Sequence, residues 1–177
     1  AVELGVSESF AYCLLTIYYS FMRVLAIDPG YGRCGVAVLE KNGGKEKWMY
    51  SDCILTSANV PFDARLSFVA SECERLIQKF KPDALAMERL FFTSNQKTAM
   101  HVAEVRGAIL HTAVSADIPT FEYTPGQIKN ATTGSGRADK KQIAAMIHML
   151  LKIDKAIAFD DEYDAIAIGI THLACAR

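Results

Sequence analysis

Two spacings of apolar residues alternate along the chain. Val24, Leu25, Ala26 and Ile27 form an unbroken apolar run, short enough for a strand buried on both faces. It stops at Asp28-Pro29-Gly30, where proline and glycine end the pairing. Residues 35–39 read as a second strand and 48–55 as a third, with Asn42-Gly43-Gly44 between them as a hairpin turn. Together these three predict an antiparallel meander. Phe62, Leu66, Val69, Ala70, Cys73, Leu76, Ile77 and Phe80 then recur at helical spacing, which predicts an amphipathic helix over 61–80, ended by Pro82. Residues 84–87 are again a buried strand, with Glu88 at its carboxyl end. Residues 96–116 read as a helix, 120–123 as a fifth strand, 134–137 as a loop, and 138–151 and 161–176 as the last two helices. The order β-β-β-α-β-α-β-α-α predicts an α/β fold, a mixed five-stranded sheet with helices on both faces.

Composition fits that picture. A chain of 177 residues, 51% hydrophobic and 22% charged, is long enough for one domain with a full core. The five cysteines, at 13, 34, 53, 73 and 175, have no CxxC spacing and read as reduced thiols, mostly core fillers, in a cytoplasmic protein. No stretch reaches the roughly 18–20 apolar residues of a membrane span. The apolar run from Phe10 to Met22 has no basic residue before Arg23 and no small-residue cleavage site, so it does not read as a signal peptide. Met22 can serve as a start, which makes 1–21 an extension and 22–177 the domain; on periodicity alone a peripheral helix packed on the domain fits as well. The net charge of −1 does not announce a nucleic-acid binder, and residues 1–21 contribute Glu3 and Glu8 with no basic residue, leaving the rest at +1. Any DNA-binding surface must come from local arrangement.

The candidate chemistry is acidic. Asp28 and Glu88 each end a strand, where ligands gather in open α/β sheets. Asp161 and Asp164, three apart, share one face of a late helix. Four carboxylates from three distant segments can converge on a hard-cation site, and oxygen-only ligands suit Mg²⁺ or Mn²⁺. Singly, each has a plainer explanation. Asp28 before Pro-Gly is a turn former, and Asp160, Asp161 and Glu162 satisfy a helix dipole. Glu88 after a buried strand and Asp164 before the apolar residues 165–170 are harder to explain that way.

Five segments in order resemble the RuvC family of Holliday-junction resolvases. They are Ile27-Asp28-Pro29-Gly30, then Ala86-Met87-Glu88-Arg89-Leu90-Phe91, then Phe121-Glu122-Tyr123, then Gly134 and Gly136 with Lys140, and last Asp161 and Asp164 followed by Ala165, Ala167, Thr171 and His172. The similarity runs from Met22 to the C-terminus. It implies an RNase H-like nuclease domain that cuts four-way DNA junctions with two Mg²⁺ ions per site, Mn²⁺ substituting, and leaves a 5′-phosphate and a 3′-hydroxyl. It implies a homodimer working with a RuvA–RuvB branch-migration complex. The family's catalytic carboxylates map onto Asp28, Glu88, Asp161 and Asp164; Asp160 adjoins Asp161, and both stay open as the third acid. The family's junction wedge maps onto Phe91, with Phe92 as a second aromatic beside it. Its phosphate-binding lysines map onto Lys129 and Lys140.

The segment 129–141 carries Lys129, Arg137, Lys140 and Lys141 against Asp139, and its glycines let backbone N–H groups approach phosphates, so Arg137 joins the candidate DNA contacts. Arg33 and Arg89 flank the acidic segments and can extend this clamp. His172, eight residues beyond Asp164, either approaches the site or packs in the core; His101, His111 and His148 read as packed. Ala99, Ala103, Gly107 and Ala108 make a small-residue stripe suited to close packing, on a partner helix or on the sheet. Other readings are a non-catalytic RNase H-like module, a YqgF-type protein acting on RNA, and an actin-like kinase. The last needs two such domains where 177 residues supply one.

Overall fold

The computed structural model describes residues 21–90 and 96–175. Its sheet has five strands in the order β3-β2-β1-β4-β5: β1 (Phe21–Asp28), β2 (Arg33–Asn42), β3 (Lys45–Leu55), β4 (Ala84–Glu88) and β5 (Thr120–Tyr123). Strands β1, β2 and β3 pair antiparallel, whereas β4 runs parallel to β1 and β5 parallel to β4. The expected mixed sheet is thus observed, with β1 at its centre. The hairpin turn is two residues, Gly43 and Gly44, both at positive φ, with Asn42 paired to Lys45. Strand β1 begins at Phe21, in register with Asn42, just ahead of the expected start of the domain.

Val24, Leu25, Ala26 and Ile27 have no solvent exposure, because both faces of β1 are covered. The alternation of side chains divides them. Leu25 and Ile27 join Val36, Val38, Leu85 and Met87 beneath α1 (Phe62–Phe80) and α2 (Gln96–Ser115). Val24 and Ala26 join Ala37, Leu39, Ala84 and Ala86 beneath α3 (Pro125–Thr133), α4 (Lys140–Leu151) and α5 (Asp160–Cys175). Helix α5 lies close on this second face: a Cβ at Gly169 would press into Leu39 and come within 3.4 Å of the Ala26 methyl. Cys34, Cys53 and Cys73 are buried core fillers, while Cys175 is exposed.

Helix α3 corrects the predicted element order, which becomes β-β-β-α-β-α-β-α-α-α. It opens with a capping box, in which the Thr124 hydroxyl and the Gln127 side chain serve each other's backbone N–H, and with Pro125 in its first turn. Lys129 therefore stands on a helix and not in a loop; the loop is confined to residues between Thr133 and Lys140. Helix α4 starts at Lys140, two residues later than expected, because Asp139 is its N-cap.

Candidate active site

The parallel register Ile27↔Met87 brings the ends of β1 and β4 side by side, so Asp28 and Glu88 are neighbours on adjacent strands. The first turns of α5 come over the same sheet edge. Gly35, the pairing partner of Asp28 on β2, makes this possible: a Cβ there would collide with the Asp161 backbone carbonyl. The bare backbone of β2 thus lets the acidic start of α5 settle beside the end of β1.

The electrostatics report how closely the acids gather. Asp28 is pushed up to about 8, first by burial and then by Asp164, Glu88 and Asp161, with Lys140 pulling the other way. Glu88 is raised by burial and by Asp164 and is relieved by Lys129. Asp164 is also raised, mainly by burial, against the pull of Lys140. Asp28 therefore feels all three of the other expected acids, and Asp164 couples to Glu88 and to Asp161 as well. Asp160 is not among the charges acting on Asp28; its side chain is 69% exposed and accepts from Lys140 Nζ at 3.1 Å. Asp161 thus acts on both Asp28 and Asp164, whereas Asp160 acts on Asp164 from the more exposed side.

Basic groups edge the cluster. Lys140 Nζ lies 3.7 Å from Asp164 Oδ2 as well as beside Asp160, and Arg33 Nε lies 3.0 Å from Asp161 Oδ2. As the side chains stand, no three His, Cys, Asp or Glu groups among the described residues are gathered tightly enough to hold one ion. Lys140 stands between Asp160 and Asp164, and Arg33 engages Asp161. The donor chemistry nevertheless suits a hard cation, being oxygen only, partly desolvated and crowded with like charge.

Lys129 and Lys140 thus both face the acids, one toward Glu88 and the other toward Asp164. Arg137 is exposed on the loop before α4. Phe91 and Phe92 lie outside the described residues. His172 takes the packed reading: it is buried, its Nδ1 is 2.9 Å from the Tyr123 hydroxyl, and burial lowers it to about 4. His101 stacks on Phe62, and His148 Nε2 meets the Tyr163 hydroxyl at 2.9 Å.

Two arrangements had no signal in local spacing. Glu162, only 2% exposed, accepts from the Ser51 hydroxyl at 2.6 Å and from Lys155 Nζ at 2.7 Å, which pins the first turn of α5 to β3. Arg106 of α2 pairs with Glu122 of β5, beside Arg89. Ser51 stands 111 residues from Glu162, and Arg106 and Glu122 lie on different elements, so no helical or strand repeat marks either contact.

The family model for the crossover junction endodeoxyribonuclease RuvC matches residues 24–172. The RuvC of Thermosipho melanesiensis is 44% identical over 148 residues, covering 84% of this chain and 94% of that protein. The RuvC of Finegoldia magna is 40% identical over 152 residues, covering 86% and 93%. Among solved structures, Thermus thermophilus RuvC aligns with a TM-score of 0.79 at 32% identity, covering 88% of this chain and 95% of that one. T. thermophilus RuvC in complex with a Holliday junction substrate aligns with a TM-score of 0.80, covering 85% and 92%. A match that spans both strand-terminal acids and nearly all of the acidic helix, on the same RNase H-like sheet, means that the chain belongs to the RuvC family of crossover junction endodeoxyribonucleases, the Holliday-junction resolvases.

Proposed function

We propose that the protein resolves four-way DNA junctions in recombination and repair by paired symmetric nicks, through metal-dependent hydrolysis of phosphodiester bonds. The observation that carries this reading is the gathering of Asp28, Glu88, Asp161 and Asp164 from β1, β4 and α5 at the carboxyl ends of two adjacent parallel strands. These four residues would hold Mg²⁺, or Mn²⁺ in its place, as two ions per site. Bound there, the metal supplies acidified water and neutralises charge that develops on the phosphate and the leaving oxygen.

The chain's own groups do the rest. Asp28 is held by its pairing with Gly35 on β2, one residue beyond the β1–β4 ladder, and Asp161 and Asp164 by the pinned first turn of α5. That rigidity holds the acids in place while the phosphate enters. Lys129 and Lys140 give the strand's phosphates cationic partners at the rim, and Lys140 exchanges Asp160 and Asp164 for phosphate oxygens. Arg137 adds a contact from the exposed loop. Phe91 stacks on an unpaired base at the junction centre. A four-way junction is pseudo-two-fold symmetric, so a C₂ homodimer presents two such sites to strands of like polarity. The setting is the bacterial cytoplasm, with RuvA–RuvB as the branch-migration partner.

The test offers the protein a synthetic four-way junction, a linear duplex and an RNA–DNA hybrid, each with and without Mg²⁺. The expected result is paired cuts at symmetric positions in the junction alone, only with the metal. Cutting of the hybrid with the junction spared would move the activity to RNA. Tight junction binding without any cutting would make the protein a binding module.

A further inference from the structure

An opening of about 280 Å³ lies next to the acidic group, between the end of β4, the start of α3 and one side of α2. It is lined by Asp28 and Glu88 and also by Arg89, Arg106, Val102 and Pro125. The arginines are a unit. Arg106, 14% exposed at the side chain, is in ion-pair contact with one oxygen of Glu122, and Arg89 Nε stands 3.7 Å from the other. Among the described residues Glu122 is the only ion-pair partner of both guanidinium groups, so the pair carries one more positive charge than that carboxylate balances. Burial and then the neighbouring Arg89 push Arg106 below the usual arginine range, as expected of crowded cations. Arg106 Nε is buried without a hydrogen-bond partner among the described residues.

Asp28 and Glu88, at the other part of the opening, form no ion pair with either arginine, and in the reading above their charge is taken up by the metal they would hold. An anion entering the opening would balance the arginine pair and accept from donors that Glu122 cannot satisfy alone. Arginine forks suit phosphate oxygens in particular, and a neutral base would leave the surplus charge in place.

We propose that Arg89 and Arg106, held by Glu122, form a second phosphate subsite, which takes a phosphodiester group of the cut strand flanking the one attacked at the acidic group. The subsite rests on the junction-cutting reading above. Glu122 aims the guanidinium groups, and Arg106 anchors them to α2.

The experiment measures binding of four-way junctions with different core sequences over a salt series in EDTA, beside cleavage in Mg²⁺. Wild-type protein is the control on the underlying reading: if it fails to cut any junction, that reading is lost. Arg89→Ala removes an exposed arm of the pair and leaves the Arg106–Glu122 contact, so folding is expected to survive. It should weaken binding and lower the slope of log affinity against log salt by about one unit, equally for every core sequence, with Arg89→Lys restoring most of the slope. Arg106→Ala should give the same loss of slope if its melting temperature stays near that of wild type. An unchanged slope in Arg89→Ala, beside a wild type that cuts junctions, overturns the subsite. An unchanged slope with an altered preference among core sequences also overturns it, because the arginine would then be reading a base.

Discussion

Lys155 and Glu162 meet at 2.7 Å beneath β3, where the Glu162 carboxylate also accepts from the Ser51 hydroxyl and Lys155 donates to the Ser51 carbonyl. The glutamate is buried while the lysine is partly exposed, so the pair is asymmetric. Loss of the lysine leaves a charge in the interior; loss of the glutamate lets the lysine turn to water. Lys155→Met should therefore destabilise the fold by about 2–3 kcal/mol, below the full penalty for a buried charge because the pair is part-solvated. The double variant Lys155→Met/Glu162→Gln should regain much of it. Urea unfolding of both singles and the double measures the coupling; additive losses would show that the contact is incidental.

Asp28→Asn should abolish cleavage and leave junction binding intact, because it removes an acid from the cluster and no basic group from the rim. It should also raise stability at neutral pH in EDTA, on the order of 1–2 kcal/mol, because a carboxyl raised to about 8 must take up a proton on folding and the amide need not. Gel assays of cutting and binding, with a thermal melt, check all three. Cutting at the wild-type rate would end the assignment of Asp28.

Lys129 and Lys140 face the acids from α3 and the start of α4. Alanine at either should lower the salt slope of junction binding by about one unit. Lys140→Ala should show the smaller loss of affinity at low salt, since Lys140 must first give up Asp160. Fluorescence anisotropy over a salt series decides it, and a slope identical to wild type would return both lysines to the role of neighbours for the acids.

His172 has a folded value near 4 against an ordinary 6.5, set by burial. Between these values the unfolded chain binds a proton that the native imidazole does not. The stability that its neutral form confers is complete above about pH 6.5 and is lost as the pH falls toward 4, on the order of 3 kcal/mol. His172→Gln keeps a polar atom near Tyr123 and cannot titrate. The stability gap between wild type and this variant should therefore shift in the variant's favour between pH 7.5 and pH 4.5. Urea melts at the two pH values test it, and a constant gap would mean that the histidine protonates freely in the fold.

Phe91→Ala should reduce junction cutting far more than it reduces melting temperature, with Phe92→Ala as the control. If Phe92→Ala alone impairs cutting, the wedge is the second ring. Normal cutting by both would remove the stacking role.

The central strand and its acid were legible because Val24, Leu25, Ala26 and Ile27 are buried on both faces, which writes an unbroken apolar run followed by a charge. The two core faces followed from simple alternation. Helix α3 was missed although Thr124, Pro125 and Gln127 carry an N-terminal signature, because its nine residues bury only Ile128 and Thr132 and leave little apolar periodicity to detect. Glu162 read as a dipole partner for its own helix, since Ser51 stands 111 residues away. The link between Arg106 and Glu122 joins a helix to a strand without any local repeat, so chemistry that depends on it cannot be spelled by spacing.

Gly35 has no functional atom, yet the acidic cluster depends on its bare backbone. Any side chain at this position would wedge against the Asp161 carbonyl and lever the start of α5 away from β1. A complete substitution scan scored for junction cutting should then show an inert residue on β2 with the same empty row as Asp28, and even alanine, the mildest replacement, would be excluded. The dimension of the acidic cluster is set by the absence of one methyl group.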